Sequence, residues 1–358
     1  MSNINFTTRV TLESAANIIH VTGDEVTNIL IAEPGIGKTS ILKMLQERMG
    51  DGYDYIYVDC PLKDMMDIGA NIPNHDTRQL EYYVSSLFKL SGPGADRPKV
   101  IMLDEFLKAP KLMQVIFTRL ILERMVGDVP LPKGSYVFAT SNNETDGVGD
   151  TLAGHVGNRV ARIEVLKSSA ERWNVWAGKN GIHRIIRSWV ALNPRCLASY
   201  LDGNQDDNPY IFKPGRNTKQ FVSPRSLAKA NVPISRKDRL SETELMAQLA
   251  GILGEAAARS MAAFVAMNDK VKDVKDVLLD PTGIEVPDDI AAQVMMMFQA
   301  VDTLATQDEL SQFMRFVNRI KSAEVQAIFF TMMANERMKL AKNNEAIREW
   351  LRTNHVMI

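Results

Sequence analysis

The sequence predicts an α/β core built on a parallel five-stranded sheet, followed by an all-α lid and a C-terminal helical segment. Three observations carry this. From Asn28 to Val165, short β-branched runs alternate with helical patterns, which is the order of βαβ units. Four of those runs are almost continuously apolar, as strands buried on both faces of a parallel sheet must be. Beyond Val165 no such run returns and the apolar spacing becomes helical.

The five strands are Asn28 to Ala32 (NILIA), Tyr55 to Asp59 (YIYVD), Val100 to Asp104 (VIMLD), Tyr136 to Thr140 (YVFAT) and Val160 to Val165 (VARIEV). Helical stretches separate them, including Ser40 to Met49 and Leu112 to Met125. In sheets of this kind ligands bind outside the carboxyl ends of the strands, so chemistry is expected just after each run.

Composition narrows the class of function. The chain has 358 residues, 42 Lys plus Arg against 43 Asp plus Glu, 45% hydrophobic and 24% charged residues. These values exclude disordered, collagen-like and coiled-coil chains. The net charge of −1 also argues against a coat for nucleic acid, which needs a basic excess. Cys60 and Cys196 are too few and too distant for a disulfide framework or a Cys-based zinc site, and read as reduced thiols of an intracellular protein. MSNINFTTRV lacks the apolar core of a signal peptide and no run reaches the roughly 20 apolar residues of a membrane span. The expectation is a soluble cytoplasmic protein with no membrane partner.

After the first strand comes Ala-Glu-Pro-Gly-Ile-Gly-Lys-Thr, Ala32 to Thr39. It fits the phosphate-binding P-loop G-x-x-x-x-G-K-[ST], with Ala32 in the first glycine slot. Pro34 and Gly35 bend the loop, Ile36 lies between them and Gly37, and Gly37 allows close backbone approach to a phosphate. Successive N–H groups, ending at Ser40 on the opening helix, form an anion nest. Lys38 can reach the β- and γ-phosphates of ATP, and the Thr39 hydroxyl can bind Mg²⁺. A Gly-rich turn that binds nothing is the alternative.

The third strand ends in Leu103-Asp104-Glu105. Adjacent acids at the mouth of an apolar strand are costly to desolvate without a cation or partner. Asp104 is the candidate magnesium ligand, through water, and Glu105 the group that would polarise an attacking water. The fourth strand runs into Ser141-Asn142-Asn143. Asn142 could hydrogen-bond a γ-phosphate and the lytic water; with Asn143, Asp146 and Gly147 following, an Asn-rich turn fits equally.

The P-loop, LDE, ATSNN and the later Asn158-Arg159-Val160 follow one another as in the AAA+ ATPases. The stretch LDEFLKAPKLMQVIFTRLILERMVGDVPLPKGSYVFATSNN resembles the MoxR-like branch, as does Pro61 to Pro73. The likeness covers about residues 10 to 235. It implies that Lys38 and Thr39 are the Walker A pair, Asp104 and Glu105 the Walker B pair, and Asn142 sensor 1. Arg159 then stands where the family places its arginine finger, although Arg162 lies close by. Ser223-Pro224-Arg225 resembles the sensor 2 motif, with Arg225 reaching the γ-phosphate from the lid. The implied domains are 1–166 for the nucleotide-binding core, 167–267 for the lid and 268–358 for the C-terminal helices. A finger supplied in trans makes hydrolysis depend on assembly, and head-to-tail contacts close into rings. The resemblance therefore implies a homohexamer with ATP at each boundary.

The second half reads as helices. Ser168 to Ala177 carries Trp173 and Trp176 as apolar-face candidates, and Ile182 to Leu192 places Ile185, Ile186, Trp189 and Val190 on one side. Asn204 to Pro209 is a polar loop. Ser241-Glu-Thr-Glu244 reads as a capping box before a helix running to about Asn268. Asp280 to Gly283 is a turn, and Val286 to Asp289 opens a helix with Met295, Met296, Met297 and Phe298. Such Met-rich helices, with Met332, Met333 and Met338 later, fill a core or form a plastic partner groove. His155 and His183 lack ligand spacing.

The leading expectation is an ATP-driven remodeller of a protein client, chaperone-like, working with a separate von Willebrand A-type chain as that branch commonly does. Lys213 to Arg239 is locally basic, the one sign favouring a nucleic-acid motor or loader. A nucleotide-gated ring with little turnover is the third possibility, and Glu105 counts against it.

Overall fold

The computed structural model describes residues 9–143, 158–215, 220–268 and 270–353. The chain divides into two compact units, Met1–Lys167 with Pro214–Arg216 and Ser168–Lys213 with Asn217–Ile358.

The first unit holds a parallel sheet of β1 (Arg9–Val10), β2 (Asn28–Ala32), β3 (Asp54–Asp59), β6 (Lys99–Asp104), β9 (Tyr136–Asn142) and β10 (Ala161–Val165). Their order in space is β1-β10-β2-β9-β6-β3. The sheet has six strands where the sequence predicts five. The added β1 is two residues long, too short for any periodicity to register, and Arg9 joins it to β10 through Glu164 at 3.2 Å.

Every residue of β2 and of β6 is buried. Successive side chains serve opposite faces. Ile29, Ile31, Ile101 and Leu103 pack with Met113, Phe117 and Leu120 of α4 (Lys111–Glu123). Leu30, Val100, Met102 and Phe138 pack with Ala15, Ala16 and Ile19 of α1 (Leu12–Thr22) and Ile41 and Leu45 of α2 (Ser40–Met49). Helices cover both faces, which is why these runs read as unbroken apolar stretches.

Three local features depart from the sequence reading. Between β3 and β6 stand a short helix α3 (Met65–Ile68) and an antiparallel hairpin, β4 (Gly69–Asn74) and β5 (Gln79–Val84). Pro and Asn within GANIPN hide the strand signal. The helix expected to reach Met125 ends at Glu123, because Arg124 turns left-handed at φ 56°. There its guanidinium donates to Gly23 O at 3.1 Å and Ile121 O at 2.8 Å. A second small hairpin follows, β7 (Met125–Val126) with β8 (Val129–Pro130).

The second unit's described elements are helical: α5 (Ala170–Lys179), α6 (Arg184–Leu192), α7 (Pro224–Ser235), α8 (Glu242–Leu253), α9 (Glu255–Asn268), α10 (Val274–Leu279), α11 (Ile290–Thr303), α12 (Gln307–Val317), α13 (Ala323–Glu336), α14 (Met338–Lys342) and α15 (Glu345–Thr353), with short 3₁₀ turns between some of them. One apolar cluster draws mainly on α5 to α9, the other on α10 to α15. The Ser241 capping box is present, but the helix expected to reach Asn268 is two helices, broken at Gly254 with φ 88°. Only glycine takes that backbone cheaply. Trp173 is buried as expected, whereas Trp176 is 42% exposed. Met295, Met296 and Met297 are fully buried, so this run fills core. His183 caps α6, its Nδ1 accepting from the Ile185 N–H at 3.2 Å. His155, Asp146, Gly147 and residues 216–219 of the basic stretch lie outside the described residues. No described helix is long and apolar enough to cross a membrane.

Candidate functional site

The site gathers at the carboxyl ends of β2, β9 and β6, where β9 lies between strands far from it in sequence. Such a reversal of strand order opens a crevice for ligands. Ala32 is the last residue of β2, paired with Asn142 and outside the positive-φ set. The P-loop's first position is therefore ordinary strand, and alanine in place of glycine costs nothing there.

The loop then turns through Gly35 at φ 77° and Gly37 at φ 101°. A Cβ on Gly37 would meet nothing nearer than Ser40 Oγ at 3.7 Å, so backbone conformation, not space, requires glycine. Ile36 is buried and pins the loop to the apolar layer of α1 and α2. Ser40 N–H donates to Gly37 O at 2.9 Å and Ile41 N–H to Lys38 O at 3.1 Å, which starts α2. Thr39 is its N-cap; its side chain makes no cap bond and is exposed, as are Pro34 and Gly35 in part. A helix N-terminus with a free hydroxyl suits an anion and its cation.

Lys38 is 6% exposed. Its ammonium donates to Ala32 O and Glu33 O, both at 3.2 Å, and to Asn142 Oδ1 at 2.5 Å. Asn142 is the last residue of β9 and not part of a turn. Two positions back on the same face, the Thr140 hydroxyl donates to Asp104 Oδ1 and accepts from the Glu105 N–H at 3.4 Å. Strand β9 thus ties the P-loop lysine to the paired acids.

Asp104 is buried, and a buried carboxylate needs donors. Besides Thr140 it has the Tyr57 hydroxyl of β3, at 2.8 Å. Burial first, and then Asp104 itself, raises the Tyr57 phenol above its ordinary range, so it stays a donor. Each Asp104 oxygen keeps a second lone pair for a metal-bound water. Glu105 sits left-handed at φ 52° and is paired with Lys108 Nζ at 2.8 Å. Non-glycine residues in that region are uncommon and cluster at functional sites.

Tyr57, Thr140 and Lys108 escape the sequence reading. The one signal for Thr140 was its place two residues before Asn142, on the same strand face. Arg159 is exposed in the turn before β10, and no described contact joins it to this cluster. Arg162 is exposed on β10. Arg225 is exposed in the first turn of α7, in the second unit.

The residues fit a nucleotide polyphosphate: a left-handed glycine cradle, a buried ammonium and an open helix N-terminus. No group of three or more His, Cys, Asp or Glu forms a metal cage among the described residues. A divalent cation here would take most ligands from phosphate and water, as Mg²⁺ does.

No protein-family model matches the chain, and no curated protein does. Solved structures align with most of the chain at low similarity. A candidate ATPase from Cytophaga hutchinsonii is 14% identical, covering 97% of this chain and 90% of that one, with a TM-score of 0.31. The Thermotoga maritima RuvB Holliday junction branch migration motor is 10% identical over 87% and 89%, with a TM-score of 0.37. NtrX from Brucella abortus, solved with ATP, is 10% identical over 98% and 69%, with a TM-score of 0.37. At these values the likenesses carry no functional argument, which rests on the residues.

Proposed function

We propose that this chain is a Mg²⁺-dependent ATPase of the AAA+ class, MoxR-like, which assembles into a ring and remodels a protein partner. One observation carries the reading: β9 links Lys38, through Asn142, to Asp104 and Glu105, through Thr140, at adjacent carboxyl ends of one sheet.

In this reading the glycine loop and the opening of α2, from Pro34 to Ser40, hold the phosphates. Lys38 moves from the loop carbonyls to the β- and γ-oxygens. Thr39 and Asp104 would hold Mg²⁺, the latter through water, and the ion would supply charge neutralisation to the triphosphate. Glu105 leaves Lys108 and takes a proton from the attacking water. Asn142 orients that water and the terminal phosphate. Arg159 serves the neighbouring subunit, with Arg162 the competing finger, and Arg225 contributes from the lid at 167–267. A hexamer and a separate von Willebrand A-type chain remain the assembly we propose, in the cytoplasm.

A protein client is favoured by the exposed apolar side chains between β3 and β6: Leu62, Met65, Met66, Ile72, Leu80 and Tyr83. Ile72 and Tyr83 share one face of the β4–β5 hairpin, and exposed apolar groups that cluster mark protein contacts more often than phosphate contacts. A nucleic-acid motor is the second reading, supported by exposed Arg225, Lys229, Arg236 and Arg239 on and just after α7.

Phosphate release tests the chemistry. Glu105→Gln should keep ATP and lower Mg²⁺-dependent turnover by about 10²- to 10⁴-fold, the worth of a general base; unchanged turnover would sink the assignment. Arg159→Ala should cost about 10³-fold or more with affinity kept, and a fully active variant would pass the role to Arg162. Stimulation by DNA or RNA, and not by protein, would favour the motor.

A further inference from the structure

The opposite end of the same sheet carries a second cluster of cations. Asp54 opens β3, Lys99 opens β6, and the two are register partners. Lys99 is completely buried; its ammonium donates to Asp54 Oδ2 at 2.8 Å and to Gly94 O at 3.1 Å. That pair is self-sufficient: the burial of one ammonium is matched by one carboxylate, and Lys99 holds the Asp54 carboxyl below its ordinary value.

Two further cations converge on the same carboxylate. Lys89 Nζ lies 3.2 Å and Arg97 Nη1 3.9 Å from Asp54 Oδ1. Three cations against one anion leave two positive charges uncompensated within this group. Both extra heads are half exposed, 58% for Lys89 and 51% for Arg97. They face a cavity of about 490 Å³ that Ser86, Ser91, Pro93, Gly94 and the Asp54 carboxylate also line, the last already held by Lys99. Lys89 is held left-handed at φ 51°, its N–H bonded to Ser86 O at 3.1 Å. A lysine in that conformation is strained relative to glycine, and here the strain sets a charged head at the cavity.

We propose that this cavity binds a small phosphate-bearing anion, distinct from any ligand of the P-loop. Lysine supplies a point charge, arginine a fork suited to phosphate oxygens, and the two serine hydroxyls supply further donors. The volume lies within the usual range of small-molecule sites. Because the strands are parallel, the site lies about 17–20 Å from the P-loop end, the length of one strand.

Pyrophosphate is the probe, and the full chain carrying Lys38→Ala is the background, so that binding at the P-loop does not contribute. Calorimetric titration should show saturable binding that weakens with salt. Adding Lys89→Ala and Arg97→Ala should weaken it at least tenfold, and Arg97→Lys alone should weaken it less than Arg97→Ala. Thermal unfolding of these variants should match the background, since Lys99 and Asp54 are untouched. Equal binding with and without the double substitution, or no binding to the Lys38→Ala background at millimolar pyrophosphate, would overturn the proposal. Neither result depends on whether the P-loop takes nucleotide.

Discussion

Lys38 and Arg187 are both buried cations, one in each unit, and the acceptors described for them differ in kind. Lys38 donates to two loop carbonyls and the Asn142 amide. Arg187 is 1% exposed, donates to Asp302 at 2.9 Å and to Glu336, and lies 4.6 Å over the Phe298 ring. A neutral carbonyl gives up an ammonium readily when a phosphate offers full charge. Two carboxylates on α11 and α13 do not. Burial of a cation therefore marks no function by itself, whereas the chemistry of what holds it does.

The sharpest break of this comparison is thermodynamic. Arg187→Ala leaves the buried Glu336 and the half-exposed Asp302 without their cation, and should destabilise the second unit by about 3 kcal/mol, the low end for a broken buried pair. Lys38→Ala strands neutral acceptors among the contacts described, and should cost the unliganded chain less, about 1–2 kcal/mol. Denaturant unfolding of both variants measures the contrast. Equal losses would mean that the two cations do the same structural work.

A smaller effect follows from Glu336. Burial raises its carboxyl to about 7, outweighing Arg187; Asp302 pushes the same way, while Arg337 and Lys179 oppose. The folded chain then holds this proton more tightly than the unfolded one. Its contribution to stability is complete below the ordinary carboxyl value of 4.5 and is lost as pH rises through about 7. At about 1.4 kcal/mol per pH unit, the loss is about 3 kcal/mol at most. Asp302, also raised by burial, contributes in the same direction. Glu336→Gln should flatten the decline in melting temperature between pH 5 and pH 8, taken as roughly the window set by these values. Parallel curves for the two proteins would show that Glu336 ionises normally.

The same contrast explains what was legible beforehand. The sheet's core strands could be read because burial on both faces leaves continuous apolar runs, and the P-loop because φ near 77° and 101° demands glycine. The hairpin of β4 and β5 could not, since its exposed residues obey no burial pattern. Candidate site residues that act through sequence neighbours, such as Lys38 and Thr39, were visible. Those that arrive from other strands, Tyr57 and Thr140 on Asp104, were not, because strand order is set by packing and not by adjacency in the chain. The Arg187 cluster was hidden for the same reason: its members lie 115 and 149 residues apart in sequence.

The smallest effect separates structure from chemistry within α7. Ser223 caps this helix, its hydroxyl accepting from the Ser226 N–H at 3.1 Å while Ser226 Oγ accepts from the Ser223 N–H at 2.8 Å. Loss of such a cap costs about 1 kcal/mol, a fall of about 2–4 °C in a unit of this size. Arg225, two residues on, is exposed, and its removal should leave the melting temperature within about 1 °C because surface substitutions are nearly neutral. If Arg225 acts on nucleotide from the lid, Arg225→Ala lowers turnover at unchanged melting temperature, and Ser223→Ala lowers melting temperature with turnover nearly kept. Should the two variants move both quantities together, α7 is a packing element and Arg225 has no separate part in the chemistry.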